Sequence, residues 1–252
     1  MILSSGTKKP NVHSSAYVAP SAVIAGDVTV GPGCAVLHGA VVTSEGAPVT
    51  IGEQTVVMEN AVLKASGGSA LQFPLKIGKH CIVGPHAYVV GATIGNGCFI
   101  AAGAKIFNGA KLDDDCGVAL GAIVHVKGHL GAGASVPMQH IAYGDPATIA
   151  SPEKAAEIHA QIDFFADVFN VETGKGARAR AAETYAKFLR KAHAVDAPLE
   201  AHRNTKPPLR RSGEEPPPTQ ATQVDKVVDV MMLELEEMEQ RRQQAIKRQK
   251  GG

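Results

Sequence analysis

Branched aliphatic side chains recur at every sixth position through much of the first half of this chain. Steps of six from Val12 reach Val18, Ile24, Val30, Val36 and Val42, and the series resumes at Ile51, Val57 and Leu63. Past KASGGSALQFPLK it runs through Ile77, Val83 and Val89, takes one step of five to Ile94, and continues as Ile100, Ile106, Leu112, Val118 and Val124. A period of six matches neither the helical repeat of about 3.6 nor the plain alternation of a strand. It fits a β-solenoid of hexapeptides, in which three short strands joined by tight turns make one triangular coil. The positions named account for about six coils, a prism roughly 30 Å tall at the ~4.8 Å spacing of paired strands.

A second column follows each aliphatic by four residues and is mostly small: Ala16, Ala22, Val28, Cys34, Ala40, Thr55, Ala61, Cys81, Ala87, Cys98, Ala104, Ala110, Cys116 and Ala122. All four cysteines fall in it and none has CxxC spacing, so they read as buried packing rather than as a zinc knuckle or redox pair. The chain has no Trp and only 4% aromatic residues, so its core must come from small and branched side chains. A formal charge of +1 gives no reason to expect nucleic acid. MILSSGTKKPNVHSS lacks the apolar run of a signal peptide, and no long apolar stretch suggests a membrane span. A cytoplasmic location is the expectation.

The pattern divides the chain into a hexapeptide-repeat β-helix over 1–150, helices packing on it over 151–196, a Pro-rich flexible linker over 197–219, and a charged amphipathic helix or short coiled coil over 220–252. In SPEKAAEIHAQIDFFADVF, Ile158, Ile162, Phe165 and Phe169 lie on one helical face, with Ser151 as N-cap and Pro152 in the first turn. A second helix is expected from about Ala179 to Ala194, contributing Tyr185, Phe188 and Leu189. In the last segment, Val224, Val228, Met231, Leu235, Met238 and Ala245 form a seam that suits contact with a partner or another subunit.

From Val12 to Ala147 the chain resembles the gamma-class carbonic anhydrases and related hexapeptide-repeat proteins. The stretches that carry the likeness are GDVTVGPGCAVLHGAVV, PVTIGEQTVVMENAVLK, PLKIGKHCIVGPHAYVVGATIGNGCFIAAGAKIFNGA and YGDPA. The resemblance implies a left-handed parallel β-helix and a homotrimer. It also implies a metal held between subunits by three histidines, two from one subunit and one from its neighbour. Carried over residue by residue, the ligand positions fall on Lys64, Pro85 and Val90; the glutamine and aspartate before the first ligand fall on Met58 and Glu59. The arginine-glycine-aspartate stretch that pairs subunits falls on Thr43, Ser44 and Glu45.

The coil register then places Thr43, Lys64, Val90, Phe107 and His125 in one column, and His38, Glu59 and Pro85 in another. A zinc catalyst needs three N, S or O donors and one open position. An ammonium, a pyrrolidine ring and an isopropyl group do not supply them, so neither zinc nor another cofactor is expected. Lys64 is expected to supply the lost positive charge by pairing with Glu59 of its own or the neighbouring subunit, with Glu45 also nearby. His38, Thr43, Glu45, Met58, Glu59, Lys64 and His86 make up the expected interface cleft. The favoured reading is a non-catalytic trimeric scaffold. Two enzyme readings stand beside it: zinc-dependent carbon dioxide hydration through other ligands, and acyl-CoA-dependent transfer with His86 or His125 as base.

Overall fold

The computed structural model of the chain describes residues 1–67 and 71–199. Three parallel sheets wrap around a single core. The first runs from Ile2–Ser5 through Val23–Ala25, Val41–Ser44, Val62–Gly67, Tyr88–Val90, Lys105–Ile106 and Ile123–Val124 to Ile141–Tyr143. The second climbs from Asn11–Val12 to His129–Leu130, and the third from Tyr17–Val18 to Ser135–Val136. The β-solenoid is therefore shown, but with about eight coils in place of six. Two features hid the extra coils. Beyond Val124 the step of six continues to Leu130 and Val136 but then lands on Ala142, which is not branched. At the other end, Ile2–Ser5 joins the stack through an excursion that breaks the period.

Every sixth aliphatic points inward. Ile24, Val42, Leu63, Val89, Ile106 and Val124 are all completely buried, each in register with the next coil. The four cysteines are buried and free. With Thr55 they form one column along the stack, and each passes a hydrogen bond to a backbone carbonyl of the following coil. Cys34 donates to Gly52 at 3.0 Å, Thr55 to Gly78 at 2.9 Å and Cys81 to Gly95 at 3.1 Å. Cys98 donates to Asp113 and Cys116 to Gly131, both at 3.2 Å. Small residues in this column let the corners close while satisfying carbonyls that a plain methyl group would leave unpaired.

The single helix expected after Ser151 is divided. Ser151 makes no cap bond, and one 3-10 turn, Pro152–Lys154, leads into α1 (Ala155–Gln161). Ile162 is then extended, and Asp163 accepts from the Ala166 amide at 3.0 Å to start α2 (Phe164–Phe169). The side-chain cap competes with helix continuation, and the cap prevails here. Ile158 packs with Ile141 and Ala150, which fixes α1 on the first sheet. The second expected helix is α3 (Ala177–His193).

At each end the first sheet finishes on an antiparallel strand. Thr148–Ala150 folds back on Ile141–Tyr143, and Asp196–Pro198 pairs with Ile2–Ser5. Two residues of the stretch expected as linker, Ala197 and Pro198, thus belong to a strand. The rest of that linker from residue 200 and the helix expected over 220–252 lie outside the described residues. Among the described residues no helix is long and apolar enough to cross a membrane.

Candidate functional site

Strand register builds one column directly. Lys64 pairs with Thr43 on one side and Val90 on the other. The Phe107 amide bonds to the Val124 carbonyl and the Phe107 ring lies 6.0 Å from the His125 ring, so the column continues through these two. His38, Glu59 and Pro85 stand on the preceding corner, linked by turn bonds from the Asn60 amide to His38 and from the His86 amide to Glu59. Lys64 and Val90 are strand neighbours, whereas Pro85 lies in the turn before strand Tyr88–Val90, so one chain does not bring these three side chains to a single point. Met58 sits beside this corner, its amide bonded to Val83.

Lys64 is the centre of a small polar cluster. Its ammonium lies 2.7 Å from Glu45 Oε2 and donates to the Tyr185 hydroxyl at 2.7 Å. That hydroxyl donates in turn to Glu45 Oε2 at 2.9 Å. Within the chain the carboxylate partner is therefore Glu45 rather than Glu59, which makes no ion pair among the described residues. Geometry explains the difference: Glu45 follows the strand adjacent to that of Lys64, whereas Glu59 belongs to another corner. Burial alone would pull the Lys64 ammonium down, but the bonds and charge from Glu45 and Tyr185 outweigh it and hold the group above its ordinary value. Burial pushes the Tyr185 phenol up. His193 Nε2 stands 3.8 Å from Glu45 Oε1, and its Nδ1 is 2.7 Å from Asp196.

Helices α2 and α3 lie over this column. A chain of rings leads from Phe107 to Phe164 at 6.4 Å, to Phe169 at 6.0 Å, and on to Tyr185 at 5.5 Å, with Phe188 stacked beyond. Lys127 ties α2 down through Asp167 at 2.5 Å. Between the column and the two helices is a cavity of about 510 Å³, lined by Lys64, Val90, Phe107, Asn108, Phe169 and Tyr185 among others. Tyr185 and His193 escaped the sequence reading because they meet Lys64 and Glu45 from far along the chain. Only Tyr185's place on an apolar helix face hinted at contact with the prism.

The remaining candidates stand apart from the cluster. His86 has φ +56° at a turn position that Asn60 and Gly103 share in neighbouring coils, which makes it an exposed turn residue. His38 Nδ1 is 2.8 Å from Ser21 Oγ. His125 is half-buried; burial and nearby His159 pull its imidazole below the ordinary range. Among the described residues no three His, Cys, Asp or Glu side chains gather to hold a metal.

No protein-family model matches the chain. It is 28% identical over 212 residues to "Gamma carbonic anhydrase 1, mitochondrial" of Arabidopsis thaliana, covering 80% of this chain and 75% of the relative. It is 35% identical over 95 residues to "Gamma carbonic anhydrase-like 2, mitochondrial" of the same plant, covering 37% of each. A hexapeptide transferase family protein from Anaplasma phagocytophilum is 18% identical, with 77% of this chain and 97% of that one covered at a TM-score of 0.43. The chain is thus similar to a gamma carbonic anhydrase over most of its length, and to a gamma carbonic anhydrase-like protein over 37% of it.

Proposed function

We propose that this chain is a non-catalytic, gamma carbonic anhydrase-like scaffold that assembles as a homotrimer. The observation that carries the reading is the Lys64 ammonium, held at the first family ligand position by Glu45 and Tyr185. A protonated amine there repels a dication, and Val90 and Pro85 offer no donor, so the residues present do not fit a zinc ion. The two plant relatives carry both kinds of name, anhydrase and anhydrase-like, so the likeness is compatible with either state.

Assembly is supported by the outer face of the third sheet. Tyr17, Ala35, Val56, Ile82 and Phe99 align in register there, and Tyr17, Ile82 and Phe99 are 42%, 41% and 51% exposed. A continuous apolar stripe of this kind favours cover by another protein surface. The seam from Val224 to Ala245 is the part we assign to a further protein partner. A cytoplasmic location is part of this proposal; the named relatives are mitochondrial, and imaging of a full-length fusion distinguishes the two.

The test is metal content and carbon dioxide hydration of the purified full-length protein. We expect no bound zinc and no turnover; stoichiometric zinc with turnover overturns the proposal. Lys64→His, Pro85→His and Val90→His together should create metal affinity in the oligomer. A triple variant that binds none would refute the assignment of the ligand positions.

A further inference from the structure

The space beneath the helices is larger than packing needs, and its walls are uneven in character. At about 510 Å³ it falls in the range of small-molecule sites, which are mainly apolar with a few convergent polar groups. Val90, Phe107, Phe164, Val168, Phe169 and Phe188 supply the apolar wall. Lys64 and Ser66 lie two apart on one strand and share its outer side. Asn108, also on the wall, is only 2% exposed.

Two polar groups there have unused capacity. The Asn108 carboxamide donates through Nδ2 to Ser66 Oγ at 2.5 Å, and its Oδ1 meets no donor among the described residues. That oxygen is not among the enclosed polar atoms left without a partner, where Asp196 Oδ1 stands alone among the described residues, so a ligand can reach it from the cavity that Asn108 lines. The Lys64 ammonium has three N–H groups and uses two of them on Glu45 Oε2 and the Tyr185 hydroxyl, leaving one without a partner among the described residues.

Charge narrows the ligand class. The Lys64 ammonium is already neutralised by Glu45, so an arriving anion would compete with a carboxylate for it. An arriving cation would meet the ammonium itself. We propose that this cavity binds a small uncharged molecule with an aromatic or branched apolar body and one hydrogen-bonding head, of the ketone, amide or alcohol type. The body packs against Phe107, Phe164 and Phe169; the head accepts from the Lys64 ammonium and, where it carries an N–H or O–H, also donates to Asn108 Oδ1. Exposed Asn170 and Thr184 border the cavity and mark its route to solvent. This goes beyond the scaffold reading and holds whether or not the protein hydrates carbon dioxide.

Methyl and amide NMR of the full-length protein, titrated separately with acetophenone, benzoate and benzylammonium, tests the proposal. Acetophenone should shift the Val90 and Val168 methyl signals saturably and bind at least about tenfold more tightly than either charged probe. Val90→Phe, which fills the cavity, should weaken acetophenone by about tenfold or more. If that variant does not fold, Thr184→Phe at the exposed rim serves the same purpose. No saturable shift with any probe, tighter binding of benzoate or benzylammonium, or undiminished binding to a folded filled variant each overturns the proposal.

Discussion

Lys64 and Glu45 form a close ion pair, 2.7 Å between ammonium and carboxylate, with side chains only 19% and 10% exposed. Removing one partner strands the other in a largely dry place. Lys64→Met should therefore destabilise the protein by about 2–4 kcal/mol in urea denaturation, the partial exposure keeping it below a fully buried case. Adding Glu45→Gln should recover most of that loss. If the single and double variants melt alike, the pair is not what holds the corner.

Two histidines should titrate in opposite directions from their ordinary value of 6.5. His125, pulled down by burial, keeps fewer protons folded than unfolded, so its contribution is lost as pH falls below about 6.5. His129, bonded to Asp145 and Asp113, is raised, so its contribution is present at low pH and lost as pH rises through the folded value. Proton NMR titration of the two imidazoles checks the order. His125→Gln should also reduce the loss of stability between about pH 6.5 and 5.

Two glycine substitutions separate crowding from backbone geometry. A methyl group on Gly78 would lie 2.5 Å from the Gly95 carbonyl oxygen of the next coil. On Gly103 it would meet nothing within 4 Å, but φ there is +68°. Gly78→Ala should cost about 2–4 kcal/mol, because stacked backbone cannot move aside. Gly103→Ala should cost about 1 kcal/mol, the penalty for a left-handed turn alone. Chemical denaturation of the two variants gives the comparison.

Charge on the apolar stripe should divide the assembly. Ile82→Asp with Phe99→Asp places two carboxylates where the proposed trimer excludes water, at positions that cost a monomer little. Sedimentation should show the wild-type trimer replaced by a folded monomer. An unchanged mass would mean that another face joins the copies.

The solenoid was legible because its signal is repetitive: one register error would turn every Val and Ile outward, so the period is written into many residues at once. The count of coils was less legible, since Ala142 can fill an inward position without matching the branched pattern. The Thr43, Lys64, Val90, Phe107, His125 column followed from the same register. The partner of Lys64 did not. Glu45 and Glu59 were both in view, and only the course of the turn after Val41–Ser44 chooses between them. Tyr185 and the cavity arise from helices folding back over the prism, a tertiary event with no local periodicity to announce it.

The reversed strands at both ends of the first sheet have a consequence for size. A parallel stack with bare terminal rungs could go on adding copies lengthwise, because each exposed backbone edge is a template for the next. Asp196–Pro198 and Thr148–Ala150 run the wrong way to be copied, and each covers the edge it meets. On that wall the rod's length is dictated by the polypeptide and not by how much protein is present.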